Sequence, residues 1–285
     1  MATSVGQEVS RTRNQTDSDA RAAARRIPGR PSTWRRYGGL IVGSLSVGIF
    51  LSIWQAVTAA RLVPELFLPG PTDIFAELGV LIREGKLWND LLVSGHELVL
   101  GYGLAILVAI PVGILMGWYR GLSWALDPFV SFFYSTPRIA LLPLFIIWFG
   151  IGINSKVAII FLGAFFPILI NTVAGMHNIE PGLIKVARSY GASDLQIFRT
   201  VALPGSVPFT LTGLRLGIGH ALIGVVVGEL IAAQAGIGLM MANAGATYQT
   251  SRVFVGLFIL AFAGLALTYI LQLLERRFQS WKPSH

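Results

Sequence analysis

The sequence predicts an all-α integral membrane protein, because apolar residues dominate it and occur in runs long enough to cross a bilayer. Hydrophobic residues make up 54% of the 285 residues and charged residues only 13%, whereas soluble domains carry roughly 25% charged residues. A membrane-spanning helix needs about 20 consecutive, mostly apolar residues. Cysteine is absent, which excludes disulfide bonds, iron–sulfur clusters and thiol catalysis.

Residues 1–36 form a polar and basic tail, which we expect to be disordered. Eight of the 22 basic residues lie there: Arg11, Arg13, Arg21, Arg25, Arg26, Arg30, Arg35 and Arg36. The net charge of +8 alone would also suit nucleic-acid binding. Its concentration in a tail beside an apolar run instead favours a segment that stays in the cytoplasm and contacts anionic lipid.

Residues 37–63 form the first predicted transmembrane helix. Its apolar run, residues 38–60, is longer than the core of about 7–15 residues in a cleaved signal peptide, so we expect an uncleaved helix. Prolines then interrupt the chain at Pro64, Pro69 and Pro71. The residues that follow alternate apolar and charged positions at helical spacing, which is typical of an amphipathic segment at the membrane surface.

Five further transmembrane spans follow, at residues 98–118, 127–150, 157–176, 209–233 and 254–274. We expect polar turns at residues 119–121 and 153–156, and prolines at Pro137 and Pro143 interrupt the third span. Six spans place both termini on one side of the membrane. Most of the 22 basic residues lie on that side, so the positive-inside rule assigns it to the cytoplasm. Residues 281–285 form a C-terminal tail.

A short polar segment interrupts the apolar pattern between the fourth and fifth spans; we call residues 181–206 the elbow. Pro181 suits the first turn of a helix, and Gly191 suits the left-handed residue that ends one. Ser193 and Gln196 match a capping box at the start of a second helix, which we expect Pro204 to end. These residues alone fit either an amphipathic connector on lipid or a lever that transmits force from a soluble partner.

The elbow carries an ordered set of residues: Ala187, Gly191, then Val201 ten residues later, and Leu203-Pro204. This order resembles the EAA loop of ABC importer permeases. Three stretches are similar to the nitrate/sulfonate/taurine branch of binding-protein-dependent permeases: LLPLFIIWFGIG (141–152), SKVAIIFLGAFFPILINTVAG (155–175) and LPGSVPFTLTGLRLGIGHALIGVVVGEL (203–230). The resemblance covers roughly residues 64–280.

The resemblance implies a multi-pass permease subunit of the inner (plasma) membrane, with a type I ABC importer permease fold, about six transmembrane helices and a cytoplasmic coupling helix. Two copies would pair as a homodimer, and two ATPase subunits would dock from the cytoplasm. An extracytoplasmic binding protein would deliver a small solute: a sulfonate, nitrate or similar anion, or a vitamin precursor. The chain would be a transport subunit and not an enzyme.

The same resemblance implies which residues dock the ATPase. They are Lys185, Val186, Ala187, Arg188, Ser189, Tyr190, Gly191, Ala192, Ser193, Asp194, Phe198, Arg199 and Pro204. The ATPase would bind ATP and Mg, whereas this chain has no GxxxxGK[ST] phosphate loop and is expected to bind no cofactor.

The sequence departs from the family pattern at three positions. Lys185 stands where the family carries an acidic residue, and Val186 stands where it carries alanine. His220 stands where relatives often carry arginine. The exchange at Lys185 reverses the charge, so we expect a matching acidic residue on the ATPase.

Four ionisable residues in or near the apolar spans are candidates to line a translocation path: Arg138, Arg215, His220 and Glu229. Charged groups in a membrane are costly and often functional. For Glu229 the competing expectation is an outer-interface carboxylate near Gln234, and for Arg138 a helix-end arginine that extends to the interface. The other histidines are scattered, so we expect no metal site.

The main alternative function is a secondary transporter driven by an ion gradient. Several acidic residues within spans, broken-helix pairs or internal repeats would favour it, and the sequence offers only Glu229 as a candidate. A membrane-embedded enzyme would need converging His, Asp, Glu or Ser side chains within the spans, which the sequence does not show.

Overall fold

The computed structural model describes residues 33–278 and builds them almost entirely from helices, as the sequence predicts. The chain divides into two units, residues 1–60 and 61–285. The first unit contributes helix α1 (Thr33–Ala59). This helix begins four residues before the predicted boundary, and Arg61 with φ 52° follows its end. The rest of the predicted tail (1–32) and the C-terminal tail (281–285) lie outside the described residues.

The second unit opens with two helices that share a glycine junction. Helix α2 (Pro71–Glu84) starts with proline in its first turn, and the Gly70 N–H donates to the Asp73 carboxylate at 2.9 Å. Gly85 adopts φ 74° between α2 and α3 (Lys86–Trp118). This left-handed conformation is accessible to glycine at little cost, so the chain turns without a longer loop. Helix α3 has 33 residues and is much longer than the predicted second span.

The third predicted span is bent. Helix α4 (Arg120–Ser135) is followed by a 3₁₀ turn (Arg138–Leu141) and helix α5 (Leu142–Phe149). The direction of the chain changes by 91° between the two segments. Pro137 lies at this break. Proline has no N–H and restricts the conformation of the residue before it, so the helix is interrupted there. The turn expected at residues 119–121 is reduced to Tyr119, since α4 already begins at Arg120.

Helix α6 (Ile153–His177) packs against both α3 and α9 (Leu203–Ala232) in the core of the second unit. The prediction of a polar turn at residues 153–156 is wrong, because these residues form the first turn of α6. Ser155 donates to the Gly152 carbonyl at 3.1 Å, and Lys156 forms an ion pair with Glu97. Because Ser155 and Lys156 both have partners, their polar groups are satisfied within the helix, although their polarity predicted a turn.

Glycines allow the backbones of α6 and α9 to touch. A Cβ atom at Gly163 would lie 2.9 Å from the His220 carbonyl oxygen, and one at Gly224 would lie 2.9 Å from the Ile160 Cα. Small residues at helix contacts are the usual means of close packing in membranes, where helices gain no hydrophobic drive from each other.

The chain ends in α10 (Ile237–Ala246) and α11 (Thr250–Phe278). Within residues 33–278, five helices are long and apolar enough to cross a membrane, and the bent pair α4–α5 makes six if it counts as one span. This agrees with the six predicted spans. Helix α10 has ten residues and was not predicted.

Replacing Gly224 by alanine is expected to lower the melting temperature of the purified protein by several degrees. The added methyl group meets the α6 backbone, and such overpacking costs about 1–3 kcal/mol. Gly219→Ala on the same helix is the matched control, because its Cβ meets nothing within 4 Å; it should leave the melting temperature unchanged or raised. Equal melting temperatures for the two variants would contradict the packing argument.

Candidate functional site

The elbow contains the bend that the sequence predicts at Gly191. Helix α7 (Pro181–Ser189) is followed, two residues after its end, by Gly191, which adopts φ 77°. The Ala192 N–H donates to the Ala187 carbonyl at 3.1 Å, and the Gly191 N–H donates to the Arg188 carbonyl at 2.9 Å. This pair of bonds is a Schellman motif, which satisfies the last carbonyls of the helix. The predicted bend is confirmed.

The second half of the elbow begins with the predicted capping box. Helix α8 (Asp194–Ile197) has Ser193 as its N-cap. The Gln196 N–H donates to Ser193 Oγ at 3.4 Å, and the Ser193 N–H donates to Gln196 Oε1 at 2.7 Å. Two N–H groups at the start of the helix thus gain partners, which fixes the direction in which the chain leaves the bend.

The prediction that Pro204 ends this helix is wrong. A π-helical segment (Phe198–Ala202) joins α8 directly to α9, so residues 194–232 form one continuous helical span. Proline lacks the N–H that an α-helix requires at this point. A π-helical turn changes the local hydrogen-bond pattern, and we attribute the passage of the helix through Pro204 to it.

One side of the elbow is anchored and the other is exposed. Ile197 is buried, and the Phe198 ring packs edge-on against Trp118 at the end of α3, with ring centroids 5.0 Å apart. On the exposed side lie four large apolar side chains: Leu183, Val186, Leu195 and Tyr190, the last 88% exposed. Exposed apolar patches with a polar rim mark interaction sites.

Four charged residues of the elbow lie close in sequence to the residues of this apolar patch. Lys185 and Arg199 are exposed, and Arg188 lies 3.3 Å from Asp194 across the bend. Both members of that ion pair are largely exposed, so it contributes little stability. Pro204 was also expected in the docking surface, but it lies within the continuous helix and is half-buried, and so is less exposed than Lys185 and Arg199. The rim of the patch is thus mainly cationic.

A cavity of about 280 Å³ lies beside the bend between α4 and α5. Its lining includes Arg138 and His220, together with Thr136 and apolar residues of α6 and α9. Arg138 Nη1 donates to the Gly163 carbonyl at 3.0 Å, and its guanidinium lies 5.5 Å from the centre of the Tyr134 ring. The structure therefore brings together two of the four predicted path residues.

The other two predicted path residues lie elsewhere. Arg215 Nη2 contacts Glu275 Oε2 of α11 at 2.6 Å. Glu229 is fully buried and accepts hydrogen bonds from Ser94 Oγ at 2.5 Å and from the Gly238 N–H at 2.6 Å. Neither residue lines the cavity that contains Arg138.

Glu229 belongs to a polar network that holds the loop between α9 and α10. Ser94 accepts the Ile237 N–H at 2.9 Å, and Asp90 accepts the Gly236 N–H at 3.0 Å. Gly236 adopts φ 131°, and any side chain there would overlap the Glu229 carboxylate. Three successive backbone N–H groups, at the last residue of this loop and the first two residues of α10 (236–238), are therefore satisfied by side chains of α3 and α9.

A buried ion pair lies in the same part of the bundle. Glu97 of α3 and Lys156 of α6 form it, and both side chains are almost fully buried. Sequence reasoning missed Ser94, Glu97 and Lys156 as members of a site. The available signal was an ionisable residue at the edge of an apolar run, but the sequence does not show which partner each one meets.

Residues 109–280 match the family described as the binding-protein-dependent transport system inner membrane component. The chain belongs to this family. It is therefore a permease subunit of an ABC transporter, and ATP hydrolysis is the task of a separate subunit. Family membership also decides against the secondary transporter, although the structure does contain a bent helix pair and two buried acidic residues.

Three relatives cover nearly the whole permease. A protein of Brucella abortus (strain 2308) assigned as an ABC transporter permease is 38% identical over 87% of this chain and 98% of its own length. A Bacillus subtilis (strain 168) protein assigned to aliphatic sulfonates transport, SsuC, is 36% identical over 92% and 94%. The taurine transport system permease TauC of Escherichia coli (strain K12) is 36% identical over 85% and 89%.

Solved structures support the fold. The crystal structure of an amino acid ABC transporter matches with a TM-score of 0.57 and 17% identity, over 70% of this chain and 97% of that one. An inward-facing MetNI methionine ABC transporter matches with a TM-score of 0.51 and 22% identity, over 65% and 95%. The permease thus has an ABC importer permease fold.

The Glu97–Lys156 pair yields a stability prediction. Glu97→Gln or Lys156→Met leaves the opposite charge buried and unpaired, which should lower unfolding stability by about 3–5 kcal/mol. The double variant Glu97→Gln/Lys156→Met removes both charges and should recover most of that loss. Denaturant unfolding of the detergent-solubilised variants measures both effects. Additive losses in the double variant would show that the two charges do not interact.

Proposed function

We propose that this permease forms the path of an ATP-driven importer for a small sulfonate-type anion, and that an extracytoplasmic binding protein delivers the solute. The observation that carries the proposal is the exposed face of the elbow, where an apolar patch with a mainly cationic rim projects from a membrane bundle. In this proposal the patch docks an ATPase subunit, with Gly191 at the bend.

The connection of the elbow to the core explains how docking would move the bundle. Helix α7 follows α6 after three residues, and α8 continues without interruption into α9. Helices α6 and α9 touch through Gly163 and Gly224. A displacement of the elbow is therefore transmitted to both central helices, because close-packed helices respond as rigid elements and not as compliant ones.

Two considerations support a sulfonate-type anion as the solute. Two relatives carry names that refer to aliphatic sulfonates and to taurine, and taurine is itself a sulfonate. The described cavity beside the α4–α5 bend contains an arginine and a histidine and no carboxylate, which suits an anion. The lining of this cavity offers no comparable argument for a vitamin precursor as the solute.

The remaining partners belong to the same proposal. Two copies of the permease pair as a homodimer in the inner membrane, with both termini in the cytoplasm. Two ATPase subunits bind ATP and Mg, and the permease binds neither. The elbow then lies on the cytoplasmic side, and the loop that Glu229 holds lies on the side that faces the binding protein.

Reconstitution tests the whole proposal. The permease, the ATPase and the binding protein encoded beside it are placed in and around proteoliposomes, and uptake of radiolabelled taurine and ethanesulfonate is measured. We expect uptake that requires ATP and the binding protein and that persists when an ionophore collapses the ion gradients. Uptake that continued without the ATPase and stopped with the ionophore would refute the proposal.

Lys185→Glu tests the docking surface. Because the side chain is exposed on the elbow, the substitution should preserve folding and weaken assembly with the native ATPase. The measurement is the fraction of ATPase that co-purifies with the permease, together with binding-protein-stimulated ATP hydrolysis. Lys185→Arg retains the charge and serves as the control. Unchanged coupled hydrolysis in Lys185→Glu would exclude a role for this charge.

A further inference from the structure

The cavity beside the α4–α5 bend lies within the apolar part of the bundle. His220 lies 12 residues before the end of α9, which corresponds to about 18 Å along an ideal helix. The hydrocarbon core of a bilayer is about 30 Å thick, so His220 lies in the interior of the span and not at its end. Arg138 reaches the same cavity from the 3₁₀ turn after Pro137.

The described lining of this cavity carries positive charge and no negative charge. Arg138 supplies a permanent positive charge, and His220 supplies a polar imidazole. Its other polar side chain, Thr136, donates its hydroxyl to the Phe132 carbonyl at 2.9 Å. No aspartate or glutamate among the described residues lines the cavity. Since an unpaired charge is costly in an apolar environment, the cavity is suited to a ligand that supplies negative charge.

The guanidinium of Arg138 is held in position and keeps unused donors. The Gly163 carbonyl accepts one hydrogen bond from Nη1, and the Tyr134 ring lies alongside. Within residues 33–278 this is the only hydrogen bond of the Arg138 side chain, whereas a guanidinium has five N–H donors. The planar arrangement of those donors matches two oxygens of one oxyanion.

We propose that Arg138 and His220 form an anion-binding subsite inside the permease, where the guanidinium binds two oxygens of a sulfonate and the imidazole donates to the same group. This inference rests on the proposed function and adds the residues that hold the solute during its passage. The subsite lies where the α4–α5 bend, α6 and α9 meet.

The test separates transport from energy coupling. Arg138→Gln, Arg138→Lys and His220→Gln are assembled with the ATPase and the solute-loaded binding protein in proteoliposomes. Arg138→Gln and His220→Gln should each lower ethanesulfonate uptake, Arg138→Gln by at least about tenfold because a charged hydrogen bond is lost. Arg138→Lys should retain part of the uptake, since it keeps the charge without the planar donors. Binding-protein-stimulated ATP hydrolysis should stay within about twofold of the wild type.

Arg120→Gln provides the control, because it removes an exposed arginine from α4 and should leave uptake unchanged. A wild-type complex without sulfonate uptake would refute the proposed function itself. Wild-type uptake that persists unchanged in Arg138→Gln would refute the subsite alone. If Arg138→Gln does not assemble, His220→Gln decides, and full uptake in that variant overturns the inference.

Discussion

The close contact between α6 and α9 is the constraint on which the rest of the bundle depends. Gly163 and Gly224 let the two backbones touch, and the buried core is built around this contact, with α3 packed against both helices. Because membrane helices pack by shape and not by exclusion of water, a single added methyl group at such a contact has no space to relax into. The elbow, the cavity and the buried network are all positioned by this pair of helices.

The two ends of this helix pair are stabilised in different ways. At the elbow, short-range hydrogen bonds of the backbone and of Ser193 and Gln196 fix the bend, and the outer face stays exposed. At the other end, Ser94 and Glu229 are buried and accept hydrogen bonds from backbone N–H groups in the first turn of α10. One end is therefore open to a partner, while the other is closed by partners within the chain.

The sequence predicted those features that depend on neighbouring residues. The bend at Gly191 and the Ser193 cap involve contacts within six residues, so their spacing was sufficient. The Glu97–Lys156 pair joins residues 59 positions apart in the sequence, and the Ser94–Glu229 bond joins residues 135 apart, so the sequence could not indicate either. Lys156 looked like part of a turn because its partner was unknown. Likewise, prolines predicted a break in the third span but not its angle of 91°.

The buried ion pair has a consequence for biogenesis. An unpaired charge in an apolar environment is costly, and Glu97 and Lys156 each lie at the edge of an apolar run. Glu97 leaves the ribosome with α3 before Lys156 emerges with α6, so the acid waits unpaired while 59 residues are synthesised. The pair can form only after α6 has been synthesised. The ion pair thus joins two helices that are synthesised at different times.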